Sequence, residues 1–128
     1  MSLYNALTKA DPKKLIEAGA YSSTETGSAV DVQAYDGMAL VVLNSSAGDD
    51  ADATLNAKIQ DSADGSTGWA DITGAAFTEV DDTAGGSIQA ITFDIAQAKQ
   101  YIRAVGTLAG ATPVFSFGVS LLAFAKYE

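Results

Sequence analysis

Residues 55–60 place Leu55, Ala57 and Ile59 on one side of the chain and Asn56, Lys58 and Gln60 on the other. That period of two is the pattern of a strand with one buried and one wet face. Residues 88–95 alternate again, with Ile91, Phe93 and Ile95 on one side, and in residues 114–122 Ser116, Gly118 and Ser120 interrupt an apolar run. Residues 38–43 (MALVVL) are apolar throughout, bounded by Asp36-Gly37 and Asn44-Ser45-Ser46, which predicts a strand buried on both faces. Shorter strands are predicted over 69–72, 77–80 and 101–105, with a single helical turn or tight corner at 96–100. Gly, Asp and Ser crowd the joints at 45–53, 62–68, 81–87 and 108–112. Roughly eight short strands at this spacing predict an all-β fold, an antiparallel β-sandwich or jelly roll. Ile59, Trp69, Ile91, Phe93, Ile102, Phe115 and Phe117 are expected to be mostly buried.

The alternation fails over residues 1–19. Asp11-Pro12 ahead of residues 13–18 and Gly19 predicts an N-cap, a proline in the first turn and a glycine stop. A helix of under two turns is marginal alone. The chain is therefore divided into an N-terminal arm, residues 1–19, with a short helix, and a β-sandwich domain, residues 20–128. The arm is either a loose tail or a segment that gains order on a neighbour. As an interface it would offer Lys9, Lys13, Lys14, Leu15 and Ile16.

Charge sharpens that division. The chain carries −9 overall. Residues 1–19 hold three lysines against two carboxylates, net +1, and the remainder holds four cations against fourteen carboxylates, net −10. A body of that sign repels phosphate backbones, which disfavours nucleic acid as a partner. No window approaches the ~20 apolar residues of a membrane span, so no membrane partner is expected. Residues 1–19 lack the apolar core of a secretory leader. The chain has no cysteine and no histidine, which removes disulfides, thiolate metal sites and the usual general base near neutral pH.

Few residues suggest chemistry. Asp61-Ser-Ala-Asp64-Gly65 is similar to a calcium loop, but Ala63 stands where a ligand belongs and the bidentate glutamate is missing. Turn-closing by the aspartates themselves is the simpler account. Asp49, Asp50 and Asp52, with Asp81 and Asp82, form either a solvated rim or, if their loops converge, a hard-cation site. Trp69 beside Asp71 suits stacking on a sugar ring, or an anchor in a core or interface. Arg103 is an exposed strand residue, or pairs with a carboxylate such as Asp94 or one on a neighbouring subunit. Serines are plentiful but lack a base, and acids confined to loops offer no cleft for glycoside hydrolysis. No enzyme activity, metal or cofactor is expected.

Two segments carry a resemblance. Residues 59–72 read IQDSADGSTGWADI, and residues 101–113 read YIRAVGTLAGATP. Together they resemble small β-sandwich structural proteins of tailed-bacteriophage virions, over roughly residue 53 to the end. The resemblance implies a non-enzymatic virion structural protein, most specifically a capsid decoration (cement) protein on the outer head surface. It also implies homo-oligomers, often trimers, that bridge capsomers of the major capsid protein and stabilise the capsid, after synthesis in the host cytoplasm. A tail, neck or fibre component of the same kind of bacteriophage particle and a sugar-binding adhesion module are the alternatives. Trp69 and Arg103 join the N-terminal residues as candidate interface positions.

Overall fold

The alternating segments pair into two antiparallel sheets packed face to face. The computed structural model describes residues 10–83 and 86–125. In chain order the strands are β1 (Ala10–Tyr21), β2 (Glu25–Thr26), β3 (Val30–Asp31), β4 (Tyr35–Ser45), β5 (Thr54–Ser62), β6 (Ala70–Ala76), β7 (Ser87–Asp94), β8 (Tyr101–Ala109) and β9 (Phe115–Ala125). A 3-10 turn, Ile95–Gln97, supplies the corner between β7 and β8. The first sheet runs β1-β9-β4-β7; the second runs β2-β8-β5-β6, with β3 also paired to β8. The fold is the all-β antiparallel sandwich that the alternation predicts.

The pleat explains the core. In β9, Phe115, Phe117, Val119, Leu121 and Ala123 all point inward and are buried. Ala39, Val41 and Leu43 of β4 lie in the same layer, facing Leu55, Ala57 and Ile59 of β5 and Ile102 and Ala104 of β8. Of the seven positions expected inside, Ile59, Phe93, Ile102, Phe115 and Phe117 are buried, whereas Trp69 and Ile91 are only half-buried. The MALVVL run also departs from expectation. Its even positions face away from the core: Leu40 and Val42 are half-buried and Met38 is 52% exposed. Only one face of the first sheet has another sheet to pack on, so a continuous apolar run is covered on one side only. Residues 77–80 form no named strand and attach to β5 through an isolated bridge, Leu55 to Val80.

The largest correction concerns the arm. Residues 10–19 are neither a helix nor a separate arm, because they belong to β1, which pairs with β9 from Ala10 opposite Phe124 to Tyr21 opposite Phe115. Leu15 and Ile16 are buried in the core at 2% and 5% exposure, so they offer no surface to another chain. Two register shifts, at Lys14/Ile16 and Ile16/Gly19, account for the missing alternation in the sequence. These irregularities let two successive residues, Leu15 and Ile16, both turn inward. Gly27 closes the same corner. Its N–H donates to the Ala104 carbonyl at 2.8 Å, and a Cβ there would lie 1.8 Å from the Leu15 carbonyl oxygen. Lys13 and Lys14 remain exposed and pair with Asp11 at 3.6 Å and Glu17 at 3.3 Å. Lys9 lies outside the described residues.

A buried tyrosine ties β1 to the start of β4. The Tyr35 hydroxyl donates to Asp11 Oδ2 at 2.5 Å. Burial, followed by the hydrogen bond to Asp11, pushes the Tyr35 phenol from 10.0 up to about 12. Folding therefore favours the protonated phenol. Its contribution is complete below pH 10 and disappears as the pH rises through about 12.

Three outcomes are expected. Leu15→Ala should destabilise the fold by about 2–5 kcal/mol, as core leucine truncations do, and a chain beginning at Ala20 should lose its cooperative urea transition. A chain from Ala20 that unfolds like the full protein would show that β1 is dispensable. Separately, stability of the parent should fall more steeply than that of Tyr35→Phe between pH 10 and about 12. Parallel urea titrations across that window measure the difference.

Candidate interaction surface

The outward side chains of the second sheet form a connected polar surface. Register sets Gln60 of β5 opposite Asp71 of β6 on one side and Arg103 of β8 on the other. The pleat sends all three away from the core. Gln60 then bridges the row: its Nε2 donates to Asp71 Oδ1 at 3.0 Å, and its Oε1 accepts from Arg103 Nε at 2.9 Å. Lys58, one pleat along β5, reaches Asp71 at 3.0 Å. The Gln60 hydrogen bond, and after it Lys58, holds the Asp71 carboxyl below its usual range. At the far end the Arg103 guanidinium lies over the Trp69 ring, 4.3 Å from its centroid.

This arrangement brings Trp69 and Arg103 together and corrects two expectations. Arg103 does not pair with Asp94. Asp94 instead caps the 3-10 turn, its Oδ1 accepting from the Ala96 N–H at 3.0 Å. Trp69 is half-buried on the outer surface, with one ring face under the guanidinium, instead of lying in the core. The row from Lys58 to Trp69 holds two cations against one carboxylate on a chain of net −9. Lys13 and Lys14 sit on the first sheet, outside this group. Gln60 and Lys58 were not singled out in the sequence, and Asp71 stood out only as a companion of Trp69 at a sugar. Alternation marks Lys58 and Gln60 as outward, but which strands flank β5 depends on pairing across long stretches of chain.

The turn from β5 to β6 leads into Trp69 and is closed by its own side chains. Asp64 Oδ1 accepts from the Ser66 and Thr67 N–H groups, both at 2.9 Å, and Oδ2 accepts from the Thr67 hydroxyl at 2.9 Å. The Thr67 backbone bond, first among these, holds the Asp64 carboxyl far below the usual carboxylate range. Gly65 takes φ +77°, and Tyr101 packs against it so closely that a Cβ would meet its ring at 3.0 Å. Asp61 does not close this turn; its Oδ2 accepts from the Lys99 N–H at 3.1 Å.

The acidic loop is also built into the fold. Asp49 Oδ1 accepts from the Val114 N–H at 2.8 Å, Asp50 Oδ2 from the Thr112 hydroxyl at 2.7 Å, and Asp52 Oδ2 from the Ala111 N–H at 3.3 Å. Three aspartates thus fasten one loop to the β8–β9 turn. Asp81 does similar local work, accepting from the Thr83 hydroxyl and N–H, bonds that lower its carboxyl. Among the described residues, no three His, Cys, Asp or Glu side chains gather as metal ligands would.

No protein-family model matches the chain, and no curated protein does. Solved structures do match. The chain is similar to the PBSX exported protein XepA, with a TM-score of 0.59 and 17% identity over 92% of this chain and 38% of that one. It is similar to a structure of the Gx strain of infectious bursal disease virus, with a TM-score of 0.52 and 18% identity over 91% of this chain and 32% of that one. The VP2 subviral particle of the same virus matches with a TM-score of 0.52 and 13% identity, again over 91% and 32%. The chain spans well under half the length of these structures' chains. At such identities the shared property is the fold. The resemblance to phage-virion β-sandwich proteins holds at that level.

Arg103→Ala should uncover the indole of the single tryptophan. Its emission should shift to longer wavelength while stability falls by about 0.5–1 kcal/mol, the usual scale of an exposed cation–π pair. An unchanged emission maximum would mean that the guanidinium does not shield Trp69 in solution.

Proposed function

We propose that this chain is a non-enzymatic structural subunit of a tailed-phage particle and, more finely, a capsid decoration protein bound to the outer surface of the head. The observation that carries this reading is where the resemblance falls in the fold. The two segments similar to phage-virion proteins, residues 59–72 and 101–113, lie on β5, β6, β8 and their turns. Their outward residues make one continuous surface, from Asp71 through Gln60 and Arg103 to Trp69. A half-buried tryptophan stacked with an arginine is the kind of pair that dominates protein–protein interfaces. The sandwich fold is shared with a phage exported protein and a virus particle protein, and the acidic body suits a position facing away from packaged DNA.

In this reading the major capsid protein is the partner, and the Trp69–Arg103 surface rests on it across a capsomer boundary. Each contact buries about 800 Å² per partner, and repetition over the shell opposes the outward pressure of the genome. The adhesion alternative would require a sugar to use the indole, one face of which Arg103 covers.

The test uses particles stripped of the protein and re-decorated. Decorated heads should retain DNA to higher temperature than stripped heads. Trp69→Ala should weaken binding by at least ~30-fold, the scale of a hot-spot loss of about 2 kcal/mol. Equal release temperatures, or particle density that places the chain in the tail, would reject the decoration role. Binding on a glycan array that Trp69→Ala abolishes would favour adhesion.

A further inference from the structure

The sandwich has strand edges of very unequal character. β1 is blunted by Pro12, Lys13, Lys14 and two register shifts. β6 carries Asp71, a positive-φ Gly74 and a register shift against β5. β2 and β3 are two residues long. Proline, charge, bulges and shortness are the usual means by which a sheet edge refuses another strand. β7 has none of them. It spans eight residues, SIQAITFD, pairs with β4 at eight successive positions without a shift, and carries no charge before its last residue, Asp94.

Two further features keep this edge open and straight. One row of β7 backbone groups pairs with β4, and the other points away from the end of the sheet, with no backbone partner among the described residues. On the inner side, the Gln89 amide grips the Thr78 backbone, accepting from its N–H at 2.8 Å and donating to its carbonyl at 2.9 Å. That clasp holds β7 to the opposite sheet without using its edge. On the outer side Ile88 is 73% exposed.

We propose that β7 is a self-association site, where β7 of a second copy pairs antiparallel about a two-fold axis and joins the two first sheets into one. Extended strands are what a row of unpaired N–H and C=O groups recognises. The second copy is the occupant because the strand complements itself: paired antiparallel about its centre, the seven residues 87–93 meet only one another and bring no charge together, whereas the charged remainder of two chains of −9 repels. A two-fold contact also needs only one self-complementary surface. The pleat keeps Ile88, Ala90 and Thr92 on the outer face, and an axis near the middle of the strand sets Ala90 beside its counterpart. Ile88 and Val42 then extend an uncharged outer surface across the joint. This contact follows from the edge itself and stands whether or not the chain decorates a capsid.

Sedimentation of the full chain over a range of concentrations, at about 0.15 M salt, tests the proposal. A species of twice the 13.1 kDa chain mass is expected. Ile88→Lys and Ala90→Lys should each weaken it at least tenfold, although each lowers the net negative charge and so reduces general repulsion. A chain that stays monomeric overturns the proposal, as does a dimer or trimer unaffected by both lysines. The chain has no cysteine, so single thiols give a second, independent readout. Ala90→Cys should form a disulfide-linked dimer on mild oxidation, and Thr73→Cys on the β6 edge should not. No link at position 90, or an equally fast one at position 73, also overturns it.

Discussion

Strand β9 is the element on which the rest of the molecule depends. Its inward row, from Phe115 to Ala123, is wholly buried, and its two backbone edges are both taken, by β1 on one side and β4 on the other. An interior strand of this kind must satisfy its hydrogen bonds laterally and its apolar surface vertically at once. It therefore fixes the height of the core and the position of the N-terminal strand together. Gly118 and Gly106 show how tight the fit is: a Cβ at Gly106 would lie 2.8 Å from the Phe117 ring, and one at Gly118 would lie 3.0 Å from the Ala18 backbone.

That constraint sets the character of the two outer faces. The second sheet turns out a polar row in which Lys58, Asp71, Gln60, Arg103 and Trp69 satisfy one another. The bonds to Asp71 are exposed and individually small, as surface pairs are, and the Arg103–Gln60 bond is half-buried. Their joint effect is to order side chains that would otherwise move freely, which lowers the entropy lost on binding a partner. The first sheet turns out small and apolar residues, because Leu40, Val42 and Ala90 alternate with the core positions of the same strands. One molecule thus carries an ordered polar face and, on β4 and β7 of the other sheet, an outer strip of uncharged residues ending in an open edge.

The acidic excess is distributed to match. Asp31, Asp49, Asp52, Asp64, Asp81 and Asp94 each accept from a backbone N–H in a turn or loop. Carboxylates accept such bonds more strongly than neutral groups do. Much of the negative charge is therefore a by-product of building turns in a chain with many short strands. It gathers at loops and leaves the outer positions of β7 neutral up to Asp94.

The amino-acid sequence by itself determined the fold class, the strands with clean alternation and the Asp64 turn, because these depend on the local pleat and on hydrogen bonds within a few residues. It also placed Ile59, Ile102, Phe115 and Phe117 inside, since their neighbours in the chain are polar or small. Tertiary structure decided the rest. Residues 10–21 became a strand because β9, about a hundred residues later, offered an edge and a core that accepts both Leu15 and Ile16 through irregular pairing; the local Asp-Pro-Lys-Lys signal for a helix carried too little energy to compete. Arg103 met Trp69 and Gln60 through the placement of β8 beside β5, a long-range pairing invisible to any window of sequence. The outward half of MALVVL stayed uncovered for the same reason: a run of apolar residues states which side chains avoid water, and only the packing of whole sheets states how many of them a single chain can cover.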